Sequence, residues 1–363
     1  MNPMINVPLA NRTTIGVGGA ASYLFEVRHR DQYVAAISFA HSHKLPIFVL
    51  GGGSNTCVGD KGFDGVVLSP QSDEFSVVEE TEETVTVRID AGHDWDAAVK
   101  RTVEEGWAGI ECLSGIPGKV GAAPIQNIGA YGQEVSAVLQ GVYAVDLLNS
   151  DFVHIPASSC DLSYRHSRFK TDWKDRYAIY AVEMTLSKRT PDAPKYPELI
   201  SKLSESSAGL SEIRHAVLAL RRKKSMVYDP SDPNHRSCGS FFLNPILPAS
   251  EIEVLKERAS QAGVPIEKAP IYPAPTSKAG HPRVKISAAW LMENAGFQRG
   301  YTLGKAALSS RHCLALINPG KARSSDIQSL VNQIQERVEA VYGIILEPEP
   351  VYLGPAGSAP WRS

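Results

Sequence analysis

The sequence lacks the marks of several protein classes. Its five cysteines, Cys57, Cys112, Cys160, Cys238 and Cys313, are odd in number, scattered, and never spaced Cys-x-x-Cys. They give no zinc or disulfide framework and fit a reducing cytoplasm. No run approaches the ~18 apolar residues of a membrane span, and MNPMINVPLANRTT has no basic stretch leading into an apolar one. Neither export nor membrane insertion is expected. With 37 Lys and Arg against 39 Asp and Glu, the formal charge is −2, which offers no basic excess for nucleic acid or an acidic surface. Of ten histidines only His41 and His43 stand close together, on a helix end facing solvent, and no metal site is assigned. Internal repeats are absent.

What is present is an ordinary globular composition, 43% hydrophobic and 21% charged over 363 residues, long enough for two or three cored domains. ASYLFEV (21–27), LPIFVL (45–50), TVTVRIDAG (84–92), AVLQGVYAVDLL (137–148) and YAIYAVEMTL (177–186) read as strands. A helix is expected from Asp31. Another follows Asp94, its N-cap, with Trp95, Ala98, Val99, Thr102 and Val103 on one stripe and Gly106 as terminator. The first 190 residues therefore form a mixed unit, with subdomains at about 1–70 and 71–190. SKRTPDAPKYPEL (187–199), with three prolines, suits a connection, and 191–210 is expected to be a linker or mobile loop. Helical segments around the short strand CLALIN (313–318) then suggest a second, α/β domain at 211–346, followed by a C-terminal segment at 347–363.

Two segments are rich in glycine. Strand 45–50 runs into Gly51, Gly52, Gly53, Ser54 and Asn55, whose backbone amides can either cradle a phosphate or make a tight turn. The third glycine of Gly-x-Gly-x-x-Gly is missing and no amphipathic helix follows at once, so a standard Rossmann site is disfavoured. The second segment, LSGIPGKVGAAPIQNIGAYGQEV (113–135), combines close glycines with the amides of Gln126 and Asn127 and the ring of Tyr131. An irregular loop this long in a compact domain is usually functional, and it can wrap an extended cofactor.

GGGSN, SGIPGKVGAAPIQNIGAYGQEV, YRHSRFK, CGSFFLNP and LEPEP, in that order along nearly the whole chain, resemble the UDP-N-acetylenolpyruvoylglucosamine reductase family. The resemblance implies an α+β architecture: an FAD-binding fold of the vanillyl-alcohol-oxidase (PCMH) type over 1–190, then a smaller α/β substrate-binding domain, with the C-terminal segment returning to the active site. It implies noncovalent FAD, NADPH as hydride donor, and reduction of UDP-N-acetylglucosamine enolpyruvate to UDP-N-acetylmuramate in peptidoglycan precursor synthesis. Residues 51–55 would contact the cofactor, as would Ser114, Gly115, Ile116, Pro117, Gly121, Gln126, Asn127, Gly129, Ala130 and Tyr131. A monomer with a UDP-sugar as its small-molecule partner is expected.

Reducing an enolpyruvyl double bond requires a hydride at one carbon, stabilisation of the charge passed toward the carboxylate, and a proton at the other carbon. From residues alone, Arg165 in YRHSRFK is a carboxylate clamp or part of a solvated basic face; the resemblance selects the first. His166 stands where the family often has an acid, and it is given no role. The resemblance makes Ser240 the proton donor, a weak acid that needs nearby charge from Lys224 or Lys285. It makes Glu349 the partner of Arg165 in stabilising the enol, which as a hydrogen-bond donor must be protonated. Tyr164, Tyr196, Lys224, Asn244 and Lys285 would contact substrate, with Tyr196 on a mobile loop. Arg221, Arg222, Lys223 and Lys224 also suit a helix C-terminus. The alternatives are a different FAD-dependent oxidase of the same superfamily, acting on an alcohol or sugar, and a nonenzymatic nucleotide-binding protein.

Overall fold

The computed structural model describes residues 1–203, 208–276 and 279–355. The remaining parts of the expected linker, 204–207, and of the C-terminal segment, 356–363, lie outside the described residues. In order, the first elements are β1 (Met4–Pro8), β2 (Ala20–Val27), α1 (Arg30–Ser42), β3 (Ile47–Val49), β4 (Thr56–Val58) and β5 (Phe63–Pro70). Next come β6 (Phe75–Glu80), β7 (Thr84–Asp90), α2 (Trp95–Glu104) and the single turn α3 (Ala123–Gln126). The hairpin β8 (Gly129–Ala130) and β9 (Gln133–Glu134) leads to β10 (Leu139–Asp146), β11 (Phe152–Pro156), β12 (Tyr177–Ser187), α4 (Pro197–Ile200) and α5 (Leu210–Lys223). The last stretch holds β13 (Ile246–Pro248), α6 (Ile252–Gln261), β14 (Ile271–Ala274), β15 (Arg283–Ile286) and α7 (Ala288–Asn294). It ends with β16 (Thr302–Leu303), β17 (Ala306–Leu308), β18 (Leu316–Ile317), α8 (Ser324–Tyr342) and β19 (Val351–Leu353).

Contacts divide the chain into two units. The first is 1–8, 20–53 and 63–229; the second is 9–19, 54–62 and everything from Pro230. Among the described residues the first unit carries two larger sheets besides the β8–β9 hairpin. One has the order β1-β2-β5-β3, with β2 and β3 parallel to β5, and its apolar face packs Phe25, Val27, Val66 and Leu68 against Tyr33, Ala36, Ile37 and Ala40 of α1. The other, β11-β10-β12-β7-β6, is antiparallel. Along β7, Val85, Val87 and Ile89 are buried and the residues between them are partly exposed, the period-2 signature of a sheet with one covered face. Helix α2 begins where Asp94 accepts from the Ala97 N–H at 3.0 Å, and it lays Trp95, Ala98 and Val99 into the core of this sheet.

The first unit extends beyond the expected linker. Proline 197, which reads as a breaker, occupies the first turn of α4, where its missing N–H costs nothing. Leu199 of α4 is fully buried with Ile213, Val217 and Leu220 of α5. The division therefore falls between Asp229 and Pro230 and not within 191–210. The segments 9–19 and 54–62, expected in the first domain, belong to the second unit. The second glycine-rich segment, expected as irregular, contains α3, a 3-10 turn at Val120–Ala122 and the β8–β9 hairpin; these turns are too short for periodicity to reveal.

The second unit is built around α8, whose Ile327, Leu330, Val331, Ile334 and Val338 are fully buried in its core. Two small antiparallel sheets, β13-β15-β14 and β16-β17-β18, and the parallel pair β19-β4 complete it. The last pair joins the 54–62 segment to the end of the described chain, Thr56 opposite Val351 and Val58 opposite Leu353.

Candidate functional site

In the first unit the two glycine-rich segments lie against each other. A Cβ added at Gly52 would sit 2.9 Å from the Gly118 Cα, and one at Gly121 would sit 2.5 Å from the Ala91 Cβ, so both positions exclude any side chain. Gly51 faces Lys119 and Ala122. Ser114 is fully buried and its hydroxyl donates to the Glu111 carbonyl at 2.6 Å. Next to it, the Gly115 N–H donates to Asp96 at 2.6 Å. Ile116 and Pro117 are half-buried beside it.

Asp96 also takes both arms of Arg214, at 2.6 and 2.8 Å. Burial alone would raise its pKa, but the Arg214 and Gly115 hydrogen bonds, with the charges of Arg214 and Arg221, hold it below the ordinary carboxylate value.

Asn127, in the left-handed region at φ 42°, is fully enclosed. Its Nδ2 donates to Glu134 at 3.1 Å and to the Ser163 carbonyl at 2.9 Å, while its Oδ1 accepts from the Ser136 N–H at 3.0 Å. Both amide hydrogens are thus engaged inside the protein, and the side chain staples the loop to the Tyr164–Arg165 turn. That turn is closed by reciprocal Ser163 and His166 backbone bonds of 3.1 and 3.0 Å. Arg165 sits at its tip with φ 52°, a conformation that favours glycine. Its guanidinium donates to the carbonyls of Asn127, at 3.3 Å, and Gly129, and stacks over the Tyr164 ring. The clamp candidate is therefore held half-buried at the glycine-rich loop and is not a freely solvated arginine. His166 lies 3.8 Å from Asp161.

The same unit gathers Tyr131, Tyr196, Lys224 and Arg221. Tyr131 follows Ala130 at the tip of the β8–β9 hairpin and meets Tyr196 edge to face, ring centres 5.4 Å apart. Lys224, just past α5, pairs with Glu198 of α4. Burial pushes the Tyr131 hydroxyl up to about 12, against the pull of the Arg221 charge. Burial lowers Arg221 to about 10, with Tyr131 and Asp96 opposing that shift and Arg165 adding to it. By sequence Arg221 is one of four cations at a helix end; its Nη2 instead turns inward and donates to the Met226 carbonyl at 2.7 Å. The signal is its spacing, four residues beyond Val217 and eight beyond Ile213, which puts it on the buried stripe of α5.

Two polar atoms fit this loop to a bound group. Gln126 Oε1 and Arg221 Nε are enclosed and have no protein partner among the described residues, and buried polar atoms are almost always satisfied. With the glycine contacts, they give the first unit an acceptor, a cationic donor and a side-chain-free backbone surface, the donor set a dinucleotide with a pyrophosphate needs.

In the second unit, backbone pairing joins residues far apart in sequence. Phe242 bridges Pro348, the Leu243 N–H donates to the Glu347 carbonyl at 2.9 Å, and the Glu349 N–H donates to the Phe241 carbonyl at 2.8 Å. Ser240, half-buried after Gly239, therefore lies next to the residue whose carbonyl holds Glu349. Glu347 is exposed and Glu349 half-buried. The adjoining phenylalanines are anchored in the core. Asn244 accepts the Ala288 N–H at 2.9 Å at the start of α7, and Lys285 lies on β15 opposite Ile246 and Tyr272. Ser54 and Asn55 also fall in this unit.

Among the described residues no helix is long and apolar enough to cross a membrane, and no cluster of His, Cys, Asp and Glu could hold a metal ion.

Comparison with known proteins follows the same division. The model for the C-terminal domain of UDP-N-acetylenolpyruvoylglucosamine reductase matches residues 230–353, and an FAD binding domain model matches 21–155. The UDP-N-acetylenolpyruvoylglucosamine reductase of Thermobifida fusca is 43% identical over 96% of this chain and 97% of its own. That of Streptomyces coelicolor is 41% identical over 97% of this chain and 90% of its own. The crystal structure of UDP-N-acetylenolpyruvylglucosamine reductase from Thermus caldophilus shares the fold, with a TM-score of 0.66 at 23% identity over 97% of this chain and 99% of that one. Likeness over the whole length disfavours an oxidase related only through the cofactor domain. The chain belongs to the UDP-N-acetylenolpyruvoylglucosamine reductase family and is an FAD-dependent oxidoreductase acting on the enolpyruvyl group of a UDP-sugar.

Proposed function

We propose that Arg165, Ser240 and Glu349 carry the protein's part of this reduction. The observation that supports it is the backbone pairing of Phe241–Leu243 with Glu347–Glu349, which fixes Glu349 against the residue that follows the candidate acid Ser240. When bound, FAD supplies the hydride chemistry, accepting from NADPH and donating to the enolpyruvyl double bond. Gly51, Gly52, Gly118 and Gly121 would let backbone approach its pyrophosphate, and Gln126 and Arg221 would offer it an enclosed acceptor and donor.

On the substrate, Arg165 binds the carboxylate and the charge that develops next to it. Its guanidinium is already oriented by the Asn127 and Gly129 carbonyls, so little reorganisation remains for the transition state. Ser240 gives its proton to the α-carbon, and Glu349, protonated, hydrogen-bonds the enol oxygen. Tyr164 packs on Arg165, while Tyr196, Lys224, Asn244 and Lys285 contact the UDP-sugar, with Lys285 as a cation for the serine's unit. The product, UDP-N-acetylmuramate, feeds peptidoglycan synthesis, and with it cell shape and division. A cytoplasmic monomer fits the nucleotide-sugar substrate and the five buried thiols.

The test is anaerobic spectroscopy of the purified protein. NADPH should bleach the yellow flavin, and UDP-N-acetylglucosamine enolpyruvate should restore the spectrum while UDP-N-acetylmuramate appears by mass spectrometry. A preparation that cannot take up FAD, or a reduced flavin that the UDP-sugar leaves unchanged, would refute the reading.

A further inference from the structure

Asn55 ends the first glycine-rich segment, where sequence reading sees a cofactor contact. Its bonds lie elsewhere in the second unit. Its Nδ2 donates to the carbonyl of Glu349 at 3.3 Å, and its own carbonyl accepts from the Val351 N–H at 2.9 Å. The chain then continues as β4 in register with β19. The Glu349 N–H is meanwhile held by the Phe241 carbonyl at 2.8 Å. Both backbone polar groups of Glu349 are therefore fixed from outside its own segment. Pro348 and Pro350 flank it, and their rings restrict the chain further.

The other end of the 54–62 segment is anchored independently. The Asp60 carboxylate accepts from the Ser324 and Ser325 N–H groups at 2.8 and 3.2 Å, at the first turn of α8, where an anion complements the helix dipole. Asn55 is thus presented to Glu349 from a segment pinned to the core of the unit.

We infer that Asn55 is a positioning residue for Glu349: its carboxamide holds the Glu349 carbonyl and so aims the carboxyl group at the substrate. This rests on the reading of Glu349 as a group that acts on substrate. Misplacing a reacting group by about 1 Å costs up to about 10²-fold in rate, so one long, half-buried hydrogen bond can matter to chemistry while contributing little to stability.

The experiment uses the full-length FAD-loaded protein with Asn55→Ala and the isosteric Asn55→Asp, which turns the donor into an acceptor facing the Glu349 carbonyl and keeps the shape if Asn55→Ala folds poorly. Both variants keep the Asn55 backbone amide, the group expected to face the cofactor phosphate, so the FAD dissociation constant and the rate of flavin reduction by NADPH should stay within about threefold of the parent. Flavin reoxidation by UDP-N-acetylglucosamine enolpyruvate should slow about 10- to 100-fold. Asn55→Ala combined with Glu349→Gln should be no slower than Glu349→Gln alone, because the two act as one unit. Tenfold weaker FAD binding, equal slowing of both half-reactions, unchanged reoxidation, or additive losses would each overturn the inference. Full-rate reoxidation by Glu349→Gln alone would instead remove the reading of Glu349 on which it stands.

Discussion

The two units hold their candidate residues by opposite means. In the first, the glycine-rich loops, the Tyr164–Arg165 turn and the end of α5 are fixed by positive backbone angles, close glycine contacts and side chains that donate to backbone carbonyls. In the second, Ser240 and Glu349 each sit on an unremarkable stretch and are brought together by a β-bridge and two backbone hydrogen bonds. The first arrangement suits a large, fixed ligand that needs backbone approach. The second suits a proton donor and a carboxyl group whose spacing must not drift.

If that contrast is right, damage should separate along it. The largest effect is expected at Ser240→Ala: flavin reduction by NADPH stays near the parent rate while reoxidation by the enolpyruvyl UDP-sugar slows by about 10²-fold or more. Stopped-flow absorbance measures both steps, and equal losses in the two would merge the units' roles. A middle-sized effect is expected at Gly52→Ala, whose added carbon would meet the Gly118 backbone at 2.9 Å. FAD affinity, followed by fluorescence quenching, should fall about tenfold or more, since the backbone must move to relieve the clash. Gly51→Ala, where the nearest atom is the Lys119 Cβ at 3.6 Å, should weaken FAD far less; equal losses at both positions would remove close packing as the cause.

The smallest effect should come from Asp96→Asn, which breaks the tie between α2, α5 and the Gly115 turn. Partial exposure screens this pair, so the cost is about 1–2 kcal/mol, read as a lower thermal midpoint at neutral pH. Because the folded Asp96 pKa lies below its ordinary value, its contribution is fully present above the unfolded carboxylate pKa of about 3.9. It is lost as pH falls through the folded value. The gap between parent and variant should therefore close in acid, and a gap that widens there would reverse the assignment.

The contrast also explains what the sequence made legible. Strand β7 announces itself by alternation, β2, β10 and β12 by their apolar runs, and α2 by its cap and stripe. The glycine-rich loops were visible because composition signals backbone demand directly. Helix α4 was hidden because the proline that starts it also reads as a breaker. The inward turn of Arg221 was hidden because four consecutive cations look alike until a helix phase is assigned. Asn127 looked like a ligand because an amide in a glycine-rich loop can serve ligand or loop, and only its three internal partners show that it staples the loop. The placement of 54–62 in the second unit was least accessible: β4 has three residues, and its partner strand lies at the far end of the chain.

That last pairing carries a consequence for biosynthesis. On the ribosome, residues 54–62 emerge early and must wait for 351–353 before β4 can acquire its neighbour β19. Such a late, non-local closure is entropically slow. Until it happens Asn55 lacks both the Glu349 carbonyl and the Val351 N–H that it meets in the folded unit.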